Sequence, residues 1–123
     1  MKPHLVVWFE IPVNDIERAK NFYESVFEVT LDVLEYGPLK VAVFQMGQDT
    51  EGSKGALIKT HESKPSRAGS VVYFATKNIN DTLAKVTAYG GKILQSPLSI
   101  GEFDTIAQFE DTEGNRVGLY SAK

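Results

Sequence analysis

The sequence contains no cysteine, two histidines and a single tryptophan among its 123 residues. Without cysteine, the chain has no disulfide, no zinc–thiolate site and no thiol nucleophile, and its composition fits a reducing compartment. Histidines at positions 4 and 61 do not by themselves indicate a Ser-His-Asp constellation. A P-loop, a GxGxxG motif and an HExxH motif are missing too. The usual sequence signatures of nucleotide-dependent enzymes, zinc proteases and serine hydrolases are therefore absent.

The sequence also has little charge of either sign in excess, and no long apolar run. The formal net charge is −3, with lysine and arginine spread along the chain, so no basic surface for nucleic acid is expected. No stretch reaches the roughly 20 apolar residues that a membrane-spanning helix needs. Residues 1–12 carry one lysine and Glu10, which is not the order of a secretory signal. We expect a cytoplasmic protein that neither binds nucleic acid nor crosses a membrane.

What the chain does contain is the composition of one globular domain. Hydrophobic residues make up 42% and charged residues 24%, both ordinary values for a folded protein. Seven phenylalanines and five tyrosines provide enough bulk for a packed core at this length. We therefore expect a single domain over residues 1–123.

The first half of the sequence predicts a strand, a helix and three more strands. Residues 5–9 are apolar and β-prone, and Asn14 and Asp15 then offer a helix cap. After the cap, apolar residues recur at helical spacing, at Ile16, Ala19, Tyr23 and Val26 or Phe27. Short β-prone runs follow at 29–34, 40–46 and 56–60.

The second half repeats this order. Residues 70–75 predict a strand, and Asn78 caps a helix that ends at Gly90 and Gly91. The apolar face of that helix is expected at Ile79, Leu83, Val86 and Tyr89. Further strands are expected at 92–94, 105–109 and 116–120, with turns at 96–97, 101 and 111–114. A shift of 63 residues places Asp15 on Asn78.

This repetition predicts an α+β fold of two tandem βαβββ modules, at about 1–60 and 70–123, joined by a polar connector at about 61–69. One such unit leaves a face of its sheet bare, so two units are expected to cover each other or to curl around a cleft. A cleft is the usual place for a ligand. The alternative is another α+β fold in which the spacing is a coincidence.

Three segments resemble the vicinal oxygen chelate superfamily of glyoxalases, bleomycin-resistance proteins and extradiol dioxygenases. Residues 9–27 (FEIPVNDIERAKNFYESVF) resemble its opening strand, cap and FY-containing helix, and residues 109–120 (FEDTEGNRVGLY) resemble its closing DPxG-type hairpin. Residues 78–94 (NINDTLAKVTAYGGKIL) are similar to its second helix with a Gly-Gly exit. The sequence departs at Glu28, where glycine commonly ends the first helix, and at Thr112, where proline is frequent. The resemblance implies a curled mixed sheet around a cleft, and a homodimer.

The resemblance also implies where a metal would be held. Metal-dependent members place histidine and glutamate at four positions, one on the opening and one on the closing strand of each module. The matching positions here are Trp8, Ile58, Val71 and Gly118. None offers the oxygen or imidazole donor that a divalent cation needs. His4 and Glu10 lie roughly 20 Å apart along one strand, and His61 is expected on the surface of the connector. We therefore expect no metal and no cofactor.

Side chains that share a face with these positions complete a candidate ligand site. The predicted ligand-binding set is Trp8, Glu10, Ile58, Val71, Tyr73, Arg116, Gly118 and Tyr120. Trp8 is expected to form a flat wall of the pocket or to pack in the core. Glu10 is the candidate catalytic residue, as a general base, although it would equally bind a cationic group, pair with an arginine or lie in water. Asp111 and Glu113, in the hairpin turn, are expected to face solvent.

Three functions follow from these expectations. The first is a metal-free binding protein of the bleomycin-resistance type, with a small-molecule ligand that the sequence does not specify. The second is an enzyme of the same superfamily, a lyase, isomerase or dioxygenase, that is metal-dependent or uses Glu10 as the base. The third is a structural or interaction module whose cavity is filled by its own side chains. The apolar residues at the metal positions favour the first.

Overall fold

The computed structural model describes residues 5–45, 52–102 and 104–122. The first module contains β1 (Trp8–Pro12), α1 (Ile16–Phe27), β2 (Leu31–Tyr36), β3 (Leu39–Phe44) and β4 (Lys54–Lys59). The second contains β5 (Val72–Ala75), α2 (Ile79–Ala88), β6 (Lys92–Ile100), β7 (Asp104–Glu110) and β8 (Arg116–Ala122). The predicted α+β order of two βαβββ modules is confirmed.

Each module forms its own four-stranded mixed sheet. The strand order is β1-β4-β3-β2 in sheet 1 and β5-β8-β7-β6 in sheet 2, so the topology is repeated. In both sheets the opening strand runs parallel to the closing strand, and the other neighbours are antiparallel. Glu10 pairs with Ala56, and Tyr73 pairs with Gly118. Because Glu10 and Tyr73 each precede their helix cap by five residues, these two pairs occupy equivalent places.

The helices begin where the sequence predicts. The Asp15 side chain accepts a hydrogen bond from the Arg18 amide at 3.0 Å, and Asn78 accepts one from the Asp81 amide at 3.1 Å. Both caps satisfy amides that a first helical turn leaves unpaired. Helix α1 ends at Glu28, which adopts a left-handed conformation at φ 55°. Glu28 therefore ends the helix in the backbone conformation that glycine usually adopts at this position. Its carboxylate forms an ion pair with Lys85 of α2.

The inner face of each sheet packs against the helices, in one core that both modules share. Helix α1 contacts sheet 1 through β3 and β4. It reaches sheet 2 as well, because the Phe22 ring lies 5.9 Å from the Phe109 ring of β7. The largest fully buried side chains come from both modules, and they include Tyr23, Phe22, Phe109, Leu31, Leu57 and Leu119. The modules thus cover each other's inner faces.

Two strands run through residues that the sequence places in breaks or turns. β1 begins three residues later than predicted and continues through Pro12. β1 is an edge strand, and the amide of the next residue, Val13, donates to Ile58 of β4. The proline nitrogen therefore points to the unpaired edge, where no donor is needed. Likewise, β6 is an edge strand that continues through the predicted turn at 96–97. Its pairing with β7 is irregular there, with a register shift between Gln95 and Leu98.

The remaining boundaries differ by a few residues. β2 begins two residues later than predicted and β4 two residues earlier, while β8 extends two residues further. Met46, the predicted end of β3, lies outside the described residues, as does His4. Among the described residues, neither helix has the length and apolar character needed to traverse a bilayer.

Candidate functional site

Most of the predicted site residues lie on the outer faces of the two sheets, which are the faces directed away from the shared core. Ile11 and Leu57 of sheet 1 and Val117 and Leu119 of sheet 2 belong to that core. Because side chains alternate along a strand, their neighbours point the other way. The outer face of sheet 1 carries Trp8, Glu10 and Ile58, and the outer face of sheet 2 carries Tyr73, Arg116, Gly118 and Tyr120. One chain thus divides the predicted set between its two sheets.

The outer face of sheet 1 is apolar at its centre. Val41 and Ile58 are each 7% exposed, and with Ala56 they form a small cluster separate from the main core. Trp8 lies on the same face and is 46% exposed. Its indole nitrogen donates a hydrogen bond to the carboxylate of Glu10 at 3.1 Å, so the two exposed side chains orient each other. The face therefore presents an aromatic ring and one carboxylate around an apolar floor.

The outer face of sheet 2 is built around hydrogen bonds. Gln108 donates to the Tyr73 hydroxyl at 2.8 Å and accepts from a guanidinium nitrogen of Arg116 at 2.8 Å. The Tyr73 ring lies over Gly118, and a Cβ atom at that glycine would overlap the ring. Gln108 was not predicted from the sequence. The available signal was its place on β7, opposite Gly118 and on the same face as the other two residues.

Tyr120 lies further along the same face of β8. Hydrogen bonding to the Asp104 carboxylate raises the pKa of Tyr120 above its usual value. Val71 immediately precedes β5, and it is half-buried. His61 is exposed on the connector, as predicted.

The side chains at the family's metal positions do not fit a divalent cation. Strand register makes Ala56 the equivalent of Gly118, and Ile58 lies two residues further along β4 on the same face. Whichever of them is counted, no oxygen or imidazole donor is present. In the part of the chain that the structure describes, no group of three histidine, aspartate or glutamate side chains is placed to hold a metal ion.

Glu10 and Arg116 line one small pocket of about 110 Å³ beside the connector, together with Lys64 and Ser70. The ion pairs found among the described residues do not include one between Glu10 and Arg116. Arg116 is held instead by Gln108 and by the Arg67 carbonyl, to which it donates at 3.2 Å. The arrangement leaves the Glu10 carboxylate exposed.

The prediction that Asp111 and Glu113 face solvent is wrong. Glu113 is 7% exposed, and its carboxylate accepts hydrogen bonds from the amides of Asn14 and Asp15, both at 2.9 Å. It also forms an ion pair with Arg18 at 2.7 Å. Burial alone would raise the pKa of Glu113, but these donors outweigh burial and lower it. The hairpin of the second module therefore caps the first helix of the first module.

Asp111 is buried for a similar reason. Its carboxylate accepts a hydrogen bond from the Tyr23 hydroxyl at 2.7 Å, and from the Asn115 side chain at 3.0 Å. Asn115 also donates to the carbonyl of Pro12 at 2.8 Å. Burial, followed by the charge of Asp111, raises the pKa of Tyr23 well above its usual value. These contacts join the two modules.

The sequence matches the family model of the Glyoxalase/Bleomycin resistance protein/Dioxygenase superfamily over residues 4–119. The chain belongs to this superfamily. A glyoxylase-like domain-containing protein from Didymella fabae is 33% identical over 110 residues, which are 86% of this chain and 84% of that protein.

Solved structures share the fold of this superfamily member at lower identity. The V278E mutant of glyoxalase I from Zea mays matches with a TM-score of 0.75 at 22% identity, over 94% of this chain and 45% of the maize chain. The chain thus spans less than half of that protein. A glyoxalase/bleomycin resistance protein from Albidiferax ferrireducens T118 matches with a TM-score of 0.74 at 16% identity, over 98% of this chain and 100% of its own.

Proposed function

We propose that this superfamily member binds a small molecule on the outer faces of its sheets, without a metal at the family's ligand positions. The observation that carries the proposal is the chemical contrast between those faces. One offers an apolar floor beside Trp8, and the other offers an arginine and a tyrosine held in place by Gln108. Together they provide what small-molecule sites usually have, a largely apolar surface with a few fixed polar groups.

The ligand that fits this pair of faces has a flat apolar body and one acceptor group. Trp8 and Tyr73 are 46% and 41% exposed, so both rings are available for stacking. Arg116 uses its Nε and Nη1 groups within the chain, which leaves the donors of Nη2 for an acceptor. A carboxylate or carbonyl suits this position because guanidinium groups bind such oxygens well.

The site would be completed by a second copy of the chain. Each face of one copy carries only part of the predicted set, and a dimer would bring the face of sheet 1 in one copy to the face of sheet 2 in the other. One copy of the chain covers 45% of the maize glyoxalase I chain, a length that leaves room for a second copy. We therefore expect a homodimer with two equivalent ligand sites.

A binding screen with planar carboxylates and carbonyl compounds tests the proposal, with thermal shift first and calorimetry for the hits. Removal of the guanidinium in Arg116→Ala should weaken a hit about tenfold or more, as expected for a charged hydrogen bond. Arg67→Ala is the matched control, because its guanidinium pairs with Glu110 and only its backbone carbonyl contacts Arg116. Equal weakening in both variants, or no hit in the screen, would contradict the proposal.

The same hits distinguish binding from catalysis. Under this proposal, calorimetry detects binding, and mass spectrometry after incubation with the protein finds the ligand chemically unchanged. Chemical conversion that is lost in Glu10→Gln would support the enzyme alternative instead. Light scattering of the unliganded protein tests the dimer separately, and a monomer at micromolar concentration would remove the two-copy site.

A further inference from the structure

A second cavity, of about 580 Å³, lies between the first module and β5. Tyr73 and four phenylalanine rings line it, and the phenylalanines all belong to or pack against the shared core: Phe9, Phe27, Phe44 and Phe74. We infer that this cavity binds an uncharged, predominantly apolar small molecule among these four rings, with Tyr73 as a lining residue that it shares with the outer face of sheet 2. The inference does not depend on the proposed function, because none of these four rings lies on an outer face.

The size of the cavity points to a small molecule and not to a peptide. Ligand sites usually have volumes of about 300–1,000 Å³, and 580 Å³ is within this range. Even two turns of α-helix, about 10 Å wide and 11 Å long, need more space. A molecule of two or three rings fits.

The aromatic lining is already assembled. The ring of Phe74 stacks on Phe27 at 4.6 Å between centroids, and it lies 5.7 Å from the rings of both Phe9 and Phe44. Phe9 is further fixed because its ring covers Gly55, where a Cβ atom would overlap it. Such a cluster has little rotamer freedom left to lose, so a ligand would pay little entropy to order it.

The chemistry of the lining selects an uncharged ligand. Among the described residues that line the cavity there is no lysine, arginine, aspartate or glutamate. Both hydroxyl side chains already have partners, since Ser53 donates to the Val6 carbonyl at 2.8 Å and Tyr73 accepts from Gln108 at 2.8 Å. A charged group entering this cavity would lose hydration without gaining a counter-ion, which is costly.

Two related fluorescent probes test this selection. N-phenyl-1-naphthylamine is neutral, and 8-anilinonaphthalene-1-sulfonate has nearly the same ring system with a negative charge. We expect the neutral probe to bind at one site per chain, at least about tenfold more tightly than the sulfonate, because the sulfonate would have to be desolvated. Equal affinity for the two probes, or no binding of the neutral probe, would overturn the inference.

A variant that fills the cavity locates the probe. Val29→Phe adds a ring at a half-buried lining residue, and it should weaken the neutral probe about tenfold. Leu98→Phe is the matched control, since Leu98 is exposed on β6 and does not line the cavity. Weaker probe binding in Leu98→Phe, or unchanged probe binding in Val29→Phe, would overturn the site.

The unmodified protein provides a second measurement should Val29→Phe fold poorly. Nuclear Overhauser contacts from the bound probe to Val29 and Phe27 are expected. Contacts to Val41 or Ile58 instead would place the probe on the outer face of sheet 1 and refute the cavity site. The planar carboxylates of the binding screen should show the opposite pattern, so either proposal can fail while the other survives.

Discussion

The two outer faces are built on equivalent strands, yet they differ in chemistry. Equivalent positions carry Ala56 and Gly118, and likewise Ile58 and Tyr120. In sheet 1 these positions form a floor of aliphatic side chains, whereas in sheet 2 a tyrosine ring lies on a glycine and hydrogen bonds fix the polar groups. A repeated backbone therefore supports an apolar half-site in one module and a polar half-site in the other.

This difference has an energetic consequence. Side chains on the apolar face are buried, so removing them should reduce the free energy of unfolding by the loss of apolar burial. Groups on the polar face are more exposed, and their hydrogen bonds exchange with water at small net cost. We therefore expect substitutions in the buried aliphatic floor of sheet 1 to affect mainly stability, and substitutions of the polar groups in sheet 2 to affect mainly ligand affinity.

The largest effect is expected where the two faces are held in a fixed relation, at Glu113. Glu113→Ala leaves the amides of Asn14 and Asp15 without their acceptor and removes the ion pair to Arg18. We expect the free energy of unfolding to fall by about 2–4 kcal/mol, because buried donors lose their partner. Urea unfolding followed by circular dichroism measures this. A loss below about 0.5 kcal/mol would show that the hairpin does not hold the modules together.

The pH dependence of the same residue has a definite sign. The pKa of Glu113 is lower in the folded state than its usual value of about 4.3. Its contribution is therefore complete above about pH 4.3 and is lost as the pH falls through the folded-state pKa. Glu113→Gln does not titrate, so the stability gap between this variant and the unmodified protein should narrow below about pH 4.3. A gap that stays constant down to pH 2 would contradict the assignment.

The next largest effect compares the two faces directly. Ile58→Ala should cost about 2 kcal/mol, because the side chain is 7% exposed and packs with Val41 and Ala56. Tyr120→Ala, at the equivalent position of sheet 2, should cost less because Tyr120 is only half-buried. Denaturant midpoints of the two variants measure the contrast. An equal loss in both variants would remove the energetic distinction between the faces.

Local sequence signals predicted much of this architecture. Apolar spacing and the caps Asp15 and Asn78 identified both helices, because helix formation depends on residues within one or two turns. Strand alternation placed Arg116, Gly118 and Tyr120 on one face, because this pattern too depends only on residues close together in the sequence. The repeat at a shift of 63 residues indicated the module order, and the family resemblance added the positions that would hold a metal.

Contacts between distant parts of the chain were not predictable in this way. Glu113 is buried by partners 95 to 99 residues away, so its local sequence shows only a polar turn. Gln108 joins the site through a neighbouring strand, and strand register is not written in the alternation of one strand. The apolar cavity likewise depends on four phenylalanine side chains that are brought together only by the packing of the modules.

A smaller effect is expected at the polar face, where Gly118→Ala tests the contact with Tyr73. The new Cβ atom would overlap the Tyr73 ring, so the ring must move and its hydrogen bond with Gln108 should weaken. A loss of about 1 kcal/mol is expected, since an exposed ring can rotate away. When Tyr73 is already alanine, the Gly118→Ala substitution should cause little further loss of stability. Two additive losses would mean that the residues do not interact.

The smallest effect on stability is expected at Trp8. Because its side chain is 46% exposed and its hydrogen bond is to the exposed Glu10, Trp8→Ala should change the free energy of unfolding by less than about 0.5 kcal/mol. Affinity for a planar ligand should nevertheless fall about tenfold, since exposed aromatic side chains often dominate binding. Tyr89→Ala is the matched control, because Tyr89 is 53% exposed at the end of α2, away from both faces. Calorimetry that found equal affinity in all three proteins would show that Trp8 does not contact the ligand, and the site would then depend on the polar face alone.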